Sequence, residues 1–164
     1  MGNQTIYLAA GCFWGVEAYM KKLAGVLDTE VGYMGGVAPK PSYKQVCTGK
    51  TGHAETVRIV FDQTRLPLAR LLKHFYRLRD PSSLNKQGND IGSQYRSAIF
   101  YTSHRQLEEA KQQLASWGQE HNRKAVTEIS KAKEFYPAED YHQDYLDKNP
   151  GGYCHVDLKL ADQN

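Results

Sequence analysis

The apolar positions fall into runs whose spacing names the elements. QTIYLAA at 4–10 is an apolar run of strand length, and WGVEAYMKKL at 14–23 carries the mixed pattern of a helix. VLDTEVGYMGG at 26–36 predicts a second strand closing in a glycine turn, and ETVRIVF at 55–61 a third, with β-branched residues. The clearest helix follows, where Leu68, Leu71, Leu72, Phe75 and Tyr76 fall at i, i+3, i+4, i+7 and i+8 as one stripe. YRSAIFYT at 95–102 is expected as a fourth strand. Ser103 with Gln106 three residues on reads as a capping box, opening a helix with Leu107, Ala110, Leu114 and Trp117 on one face. AVTEI at 125–129 predicts a further strand, AEDYHQDYL at 138–146 a short helix, and NPGGYCHVDLKL at 149–160 a flexible tail.

Two polar stretches interrupt this pattern. Residues 38–54 and 80–94 are rich in Gly, Pro, Ser, Thr and Asn and read as long loops, a length that often marks function. The element order is strand, helix, strand, strand, helix, strand, helix, strand. It predicts an α+β, two-layer sandwich of the ferredoxin-like, split-βαβ type on a mixed sheet. A single domain over 1–164 is expected, with 145–164 as a flexible tail.

Composition narrows the function classes. The chain has 164 residues, enough for one self-sufficient core. Its net charge of +3 comes from scattered basic residues, so no nucleic-acid surface is expected. No apolar run approaches the ~20 residues of a membrane span, and the N-terminus lacks a secretory pattern. Three cysteines make no disulfide framework, which points to a reducing cytoplasm, thiols available for reaction, and a monomer by default.

The first candidate for chemistry is Cys12, between Gly11 and the aromatics Phe13 and Trp14, where a strand gives way to a helix. Helix N-termini favour a thiolate, although a small buried hydrophobe would also suit the position. Glu55 ends the first long loop and is expected at the edge of the sheet, where an apolar surrounding would suit a general acid. A surface glutamate is the competing reading. Glu17 is the rival carboxylate, its helical spacing from Cys12 suggesting the helix exterior. Tyr43 and Tyr95 lie beside the long loops and could donate to a polar oxygen, or be ordinary half-buried tyrosines. Cys154, after two glycines, could swing inward. Cys47 reads as a packed bystander. The spacing of His and Cys matches no metal motif. A cysteine hydrolase and a non-enzymatic peptide-binding module remain alternatives on these residues alone.

Five ordered blocks, GCFWGVE, GYMGG, SYKQVCTGKTGHAE, DIGSQYRS and NPGGYC, resemble the A-type peptide-methionine sulfoxide reductases over nearly the whole chain. The resemblance implies reduction of methionine-S-sulfoxide, in proteins and as the free amino acid, with Cys12 as nucleophile. It implies Phe13 and Trp14 around the substrate methyl group and Glu55 as the acid for the sulfoxide oxygen. Tyr43 and Tyr95 match the hydroxyls that bind this oxygen, and Asp90 the acidic residue of its block. Cys154 matches the resolving cysteine, which implies a Cys12–Cys154 disulfide reduced by thioredoxin, with no bound cofactor or metal.

Overall fold

The computed structural model describes residues 3–78, 86–87, 90–152 and 157–162. The chain runs β1 (Asn3–Ala10), α1 (Phe13–Lys21), β2 (Val26–Met34), α2 (Tyr43–Cys47), β3 (Ala54–Asp62), α3 (Leu68–Leu78), β4 (Lys86–Gln87) and β5 (Asp90–Ile91). It continues through β6 (Ser97–Tyr101), α4 (His104–His121), β7 (Glu128–Lys131), β8 (Tyr136–Pro137) and α5 (Tyr145–Lys148), with 3-10 turns at Ser93–Tyr95, Asp140–His142 and Leu158–Asp162.

The main sheet has the order β7-β6-β1-β3-β2-β8. β3 lies antiparallel between β1 and β2, and β1 antiparallel between β3 and β6. These are two interleaved split βαβ units, the α+β arrangement expected from the element order. Among the described residues only β6 and β7 pair in parallel, which makes the sheet mixed. The apolar run of β1 follows from burial on both faces. Ile6, Leu8 and Ala10 join the large core that includes α1 and α3, while Ala9 packs with Met34, Ala54, Ala98 and Phe100 in a second cluster. The stripe of α3 behaves as its spacing predicts, with Leu71, Leu72 and Phe75 fully buried.

Two local expectations are corrected. The first long loop contains α2, because Ser42 and Gln45 form a complete capping box and Val46 buries beneath them. Residues 138–146 are not one helix. Ala138 N–H pairs with Val31 O at 2.9 Å, and the Gln143 amide bonds both the N–H and the C=O of Val31, so the segment follows β2 before α5 begins. Toward the end of the chain, Leu158 and Leu160 pack against the large core and Lys22 Nζ donates to Leu158 O. The face of α4 is half-buried, with only Gln106 and Ala110 fully buried.

One buried histidine ties stability to pH. His74 of α3 is 3% exposed and shares a 2.6 Å hydrogen bond with the Tyr19 hydroxyl of α1. Burial, aided by Arg77, Arg70 and Lys73, holds its pKa down at about 4. The unfolded chain therefore takes up this proton near pH 6.5 and the folded one only near 4, so stability is lost as pH falls through that window. The loss should reach roughly 2–3 kcal/mol. Urea unfolding at pH 7 and pH 4.5 should show a clearly smaller acid loss in His74→Gln than in the wild type.

Candidate active site

Gly11, at φ 94°, turns the chain out of β1, a conformation glycine adopts without strain. Cys12 takes the N-cap position of α1 and is 5% exposed, at the end where the helix N–H groups and the positive end of its dipole lie. The first helical residue is tied to a carboxyl, since Phe13 N–H donates to Glu55 Oε1 at 3.2 Å. Glu55 is 1% exposed. It lies at the end of the central strand β3, not on an edge strand, directly opposite Tyr33 of β2.

Aromatic rings wall this corner. Phe13 packs against Tyr33 at 5.8 Å, His142 at 5.3 Å and Tyr43 at 6.2 Å between ring centres. Trp14 stacks on Tyr145 at 3.8 Å, and its Nε1–H donates to His142 Nδ1 at 2.9 Å. An indole N–H can only donate, so the neutral imidazole carries its proton on Nε2. Burial lowers the His142 pKa and keeps that neutral form. Tyr43 opens α2, its ring 4.2 Å from His142. Burial, with Glu55 and Cys47 close by, pushes the Tyr43 phenol well above its ordinary value, so it remains an O–H donor.

Tyr95 ends the 3-10 turn at Ser93–Tyr95, within electrostatic reach of Tyr43. Flanking side chains anchor that turn. Gln94 Nε2 donates to Cys47 O at 3.3 Å, while Arg96 bonds Ser93 O and the Glu128 carboxylate, each at 3.1 Å. Cys12, Phe13, Trp14, Glu55, Tyr43 and Tyr95 are thus gathered at one end of the sheet. Asp90 lies in β5, but its side chain is outside the described residues, as is Cys154.

Two expectations fail here. Glu17 is not on the helix exterior but 2% exposed, accepting from Thr29 Oγ1 at 2.9 Å and from Asp144 N–H at 2.8 Å, so it fastens α1 to β2 and to the segment before α5. Burial raises its pKa. Cys47 is exposed, not packed, because α2 turns Val46 inward instead. Sequence reasoning also missed Tyr33, Glu139, His142 and Tyr145. For the last three the signal is the density of aromatic and acidic residues in AEDYHQDY, which a helical reading hid. Among the described residues, no group of three His, Cys, Asp or Glu is placed to hold a metal ion, and no helix is long and apolar enough to cross a membrane.

A family model described as peptide methionine sulfoxide reductase matches residues 4–164. The chain belongs to that family. Peptide methionine sulfoxide reductase MsrA of Lachnoclostridium phytofermentans is 49% identical over 94% of this chain and 93% of its own length, and that of Alkaliphilus metalliredigens 49% identical over 96% and 99%. The structure of reduced Mxr1 from Saccharomyces cerevisiae is similar, with a TM-score of 0.90 and 39% identity over 96% of this chain and 92% of that one. The same yeast protein in complex with Trx2 matches at a TM-score of 0.63 and 25% identity, over 88% and 85% of the two chains. As a peptide methionine sulfoxide reductase the chain is an oxidoreductase, which removes the hydrolase and the binding module from consideration.

Proposed function

We propose that this chain, acting as a single-domain monomer in the cytoplasm, reduces methionine-S-sulfoxide in proteins and as the free amino acid, with Cys12 as the nucleophile. The observation that carries the reading is the buried Glu55 carboxyl, hydrogen-bonded to the residue after Cys12 inside an aromatic corner. A sulfoxide sulfur is electrophilic, but attack requires its oxygen to gain a proton or strong hydrogen bonds. Glu55 supplies the proton, the Tyr43 and Tyr95 hydroxyls hold the oxygen, and Phe13 with Trp14 accept the methyl group. Asp90 joins this set as the acidic residue of the DIGSQYRS block. A general acid acts from its protonated form, so the role of Glu55 needs the neutral carboxyl.

In balance, the Cys12 thiol and methionine sulfoxide become Cys12 sulfenic acid and methionine. The Cys154 thiol then condenses with the sulfenic acid, releasing water and leaving a Cys12–Cys154 disulfide. A thioredoxin dithiol reduces that bond by exchange, a reading supported by the yeast relative's complex with Trx2. The thiols carry both electrons, so no resident cofactor takes part. Presented with separated S and R epimers of a blocked methionine sulfoxide and dithiothreitol, the protein should turn over the S epimer alone. Release of methionine from neither epimer, read by chromatography, would defeat the proposal.

A further inference from the structure

The geometry points to Glu139 as a positioning residue for the reduction, its two carboxylate oxygens setting the Tyr33 ring and the first turn of α2 around the substrate corner. The inference rests on the proposed function above and extends it to a residue outside the reacting set. Glu139 Oε1 accepts the Tyr33 hydroxyl at 2.9 Å, and Oε2 accepts the Tyr43 backbone N–H at 3.2 Å. The two donors come from different elements, β2 and α2, and each carries a ring packed on Phe13. One carboxylate therefore fixes two walls of the pocket.

The two arms have distinct consequences. Tyr33 is fully buried and faces Glu55 across the β2–β3 pair, so its ring occupies the space beside the proposed acid. At Tyr43, the capping box engages the N–H groups of Ser42 and Gln45, leaving the Tyr43 N–H for Glu139. Fixing that N–H fixes the residue whose hydroxyl would hold the sulfoxide oxygen. Glu139 also leads directly into the Asp140–His142 turn, which sets His142 against Phe13, Trp14 and Tyr43.

Two donors face the two oxygens, an arrangement that suits the ionised carboxylate. Burial opposes ionisation, but Glu139's own backbone N–H, followed by the Tyr43 N–H and the Tyr33 hydroxyl, outweighs it and lowers the Glu139 pKa. A glutamine retains one acceptor for the backbone N–H and an NH2 that the rotatable Tyr33 hydroxyl can accept.

The test compares Glu139→Ala, Glu139→Gln and Tyr33→Phe with the wild type. Methionine released per enzyme is followed in single turnover with dithiothreitol, alongside KM and thermal unfolding. Losing hydrogen bonds to a charged group should lower kcat in Glu139→Ala by about ten- to a hundred-fold, with KM changed by less than about threefold. Glu139→Gln should recover most of that loss. Tyr33→Phe should reduce kcat on its own but add little in the Glu139→Ala background, since both act through one clamp. The inference is overturned if Glu139→Ala keeps wild-type kcat, if glutamine recovers nothing, or if the folded fraction turns over normally and only the melting temperature drops. Should Glu139→Ala not fold, Tyr33→Phe decides alone, and wild-type kcat there overturns the clamp. A wild type that releases no methionine would defeat the functional reading itself, a separate outcome.

Discussion

Cys12→Ser is expected to abolish methionine release from methionine sulfoxide without unfolding the protein. Serine is among the preferred N-cap residues, and the Cys12 side chain does not cap α1, so the exchange suits the helix at least as well. The chemistry is what fails. A serine hydroxyl is a poor nucleophile unless a base takes its proton, whereas a thiol is intrinsically reactive as its thiolate. Receiving the sulfoxide oxygen would also require serine to build an O–O bond in place of a sulfenic acid. Methionine measured over hours at saturating sulfoxide with dithiothreitol should stay at the blank, while the thermal unfolding curve matches the wild type. Turnover that survives the substitution would remove Cys12 as nucleophile and make Cys47, an exposed thiol, the next to substitute.

Much of this arrangement was legible because it depends on local rules. The stripe of α3 and the dense strands β1 and β3 are burial patterns, and the sheet order follows from their succession. Gly11 before Cys12 marks the strand-to-helix turn that places the thiol. What escaped depends on contacts far apart in sequence. Glu17 has the spacing of an outward helical residue, yet Asp144 N–H, 127 residues away, meets its carboxylate and draws it inside. Gln143 defeats the helix expected at 138–146 because its side-chain amide imitates a strand, bonding Val31 of β2. Glu139, His142 and Tyr145 reach the corner only through that detour. Motif blocks locate the reacting groups, while the residues that orient them sit where tertiary pairing, not periodicity, decides.

Glu55→Gln is the sharper test of mechanism, because it removes a proton and almost nothing else. The amide oxygen can still accept the Phe13 N–H that Glu55 Oε1 accepts now, so the start of α1 should retain its geometry. An amide can hydrogen-bond the sulfoxide oxygen but cannot transfer a proton to it. Loss of a general acid costs about 10²–10⁴-fold in rate, and the decrease should fall on kcat for the first methionine released, with KM little changed. The pH profile supplies an independent check. An acid must be protonated to act, so a wild-type rate limited by this proton transfer should fall on the alkaline side, and this limb should vanish in the variant. The two effects must appear together. A slow variant with the wild-type limb intact would mean that another group supplies the proton and that Glu55 serves only to hold Phe13 and the helix beside Cys12.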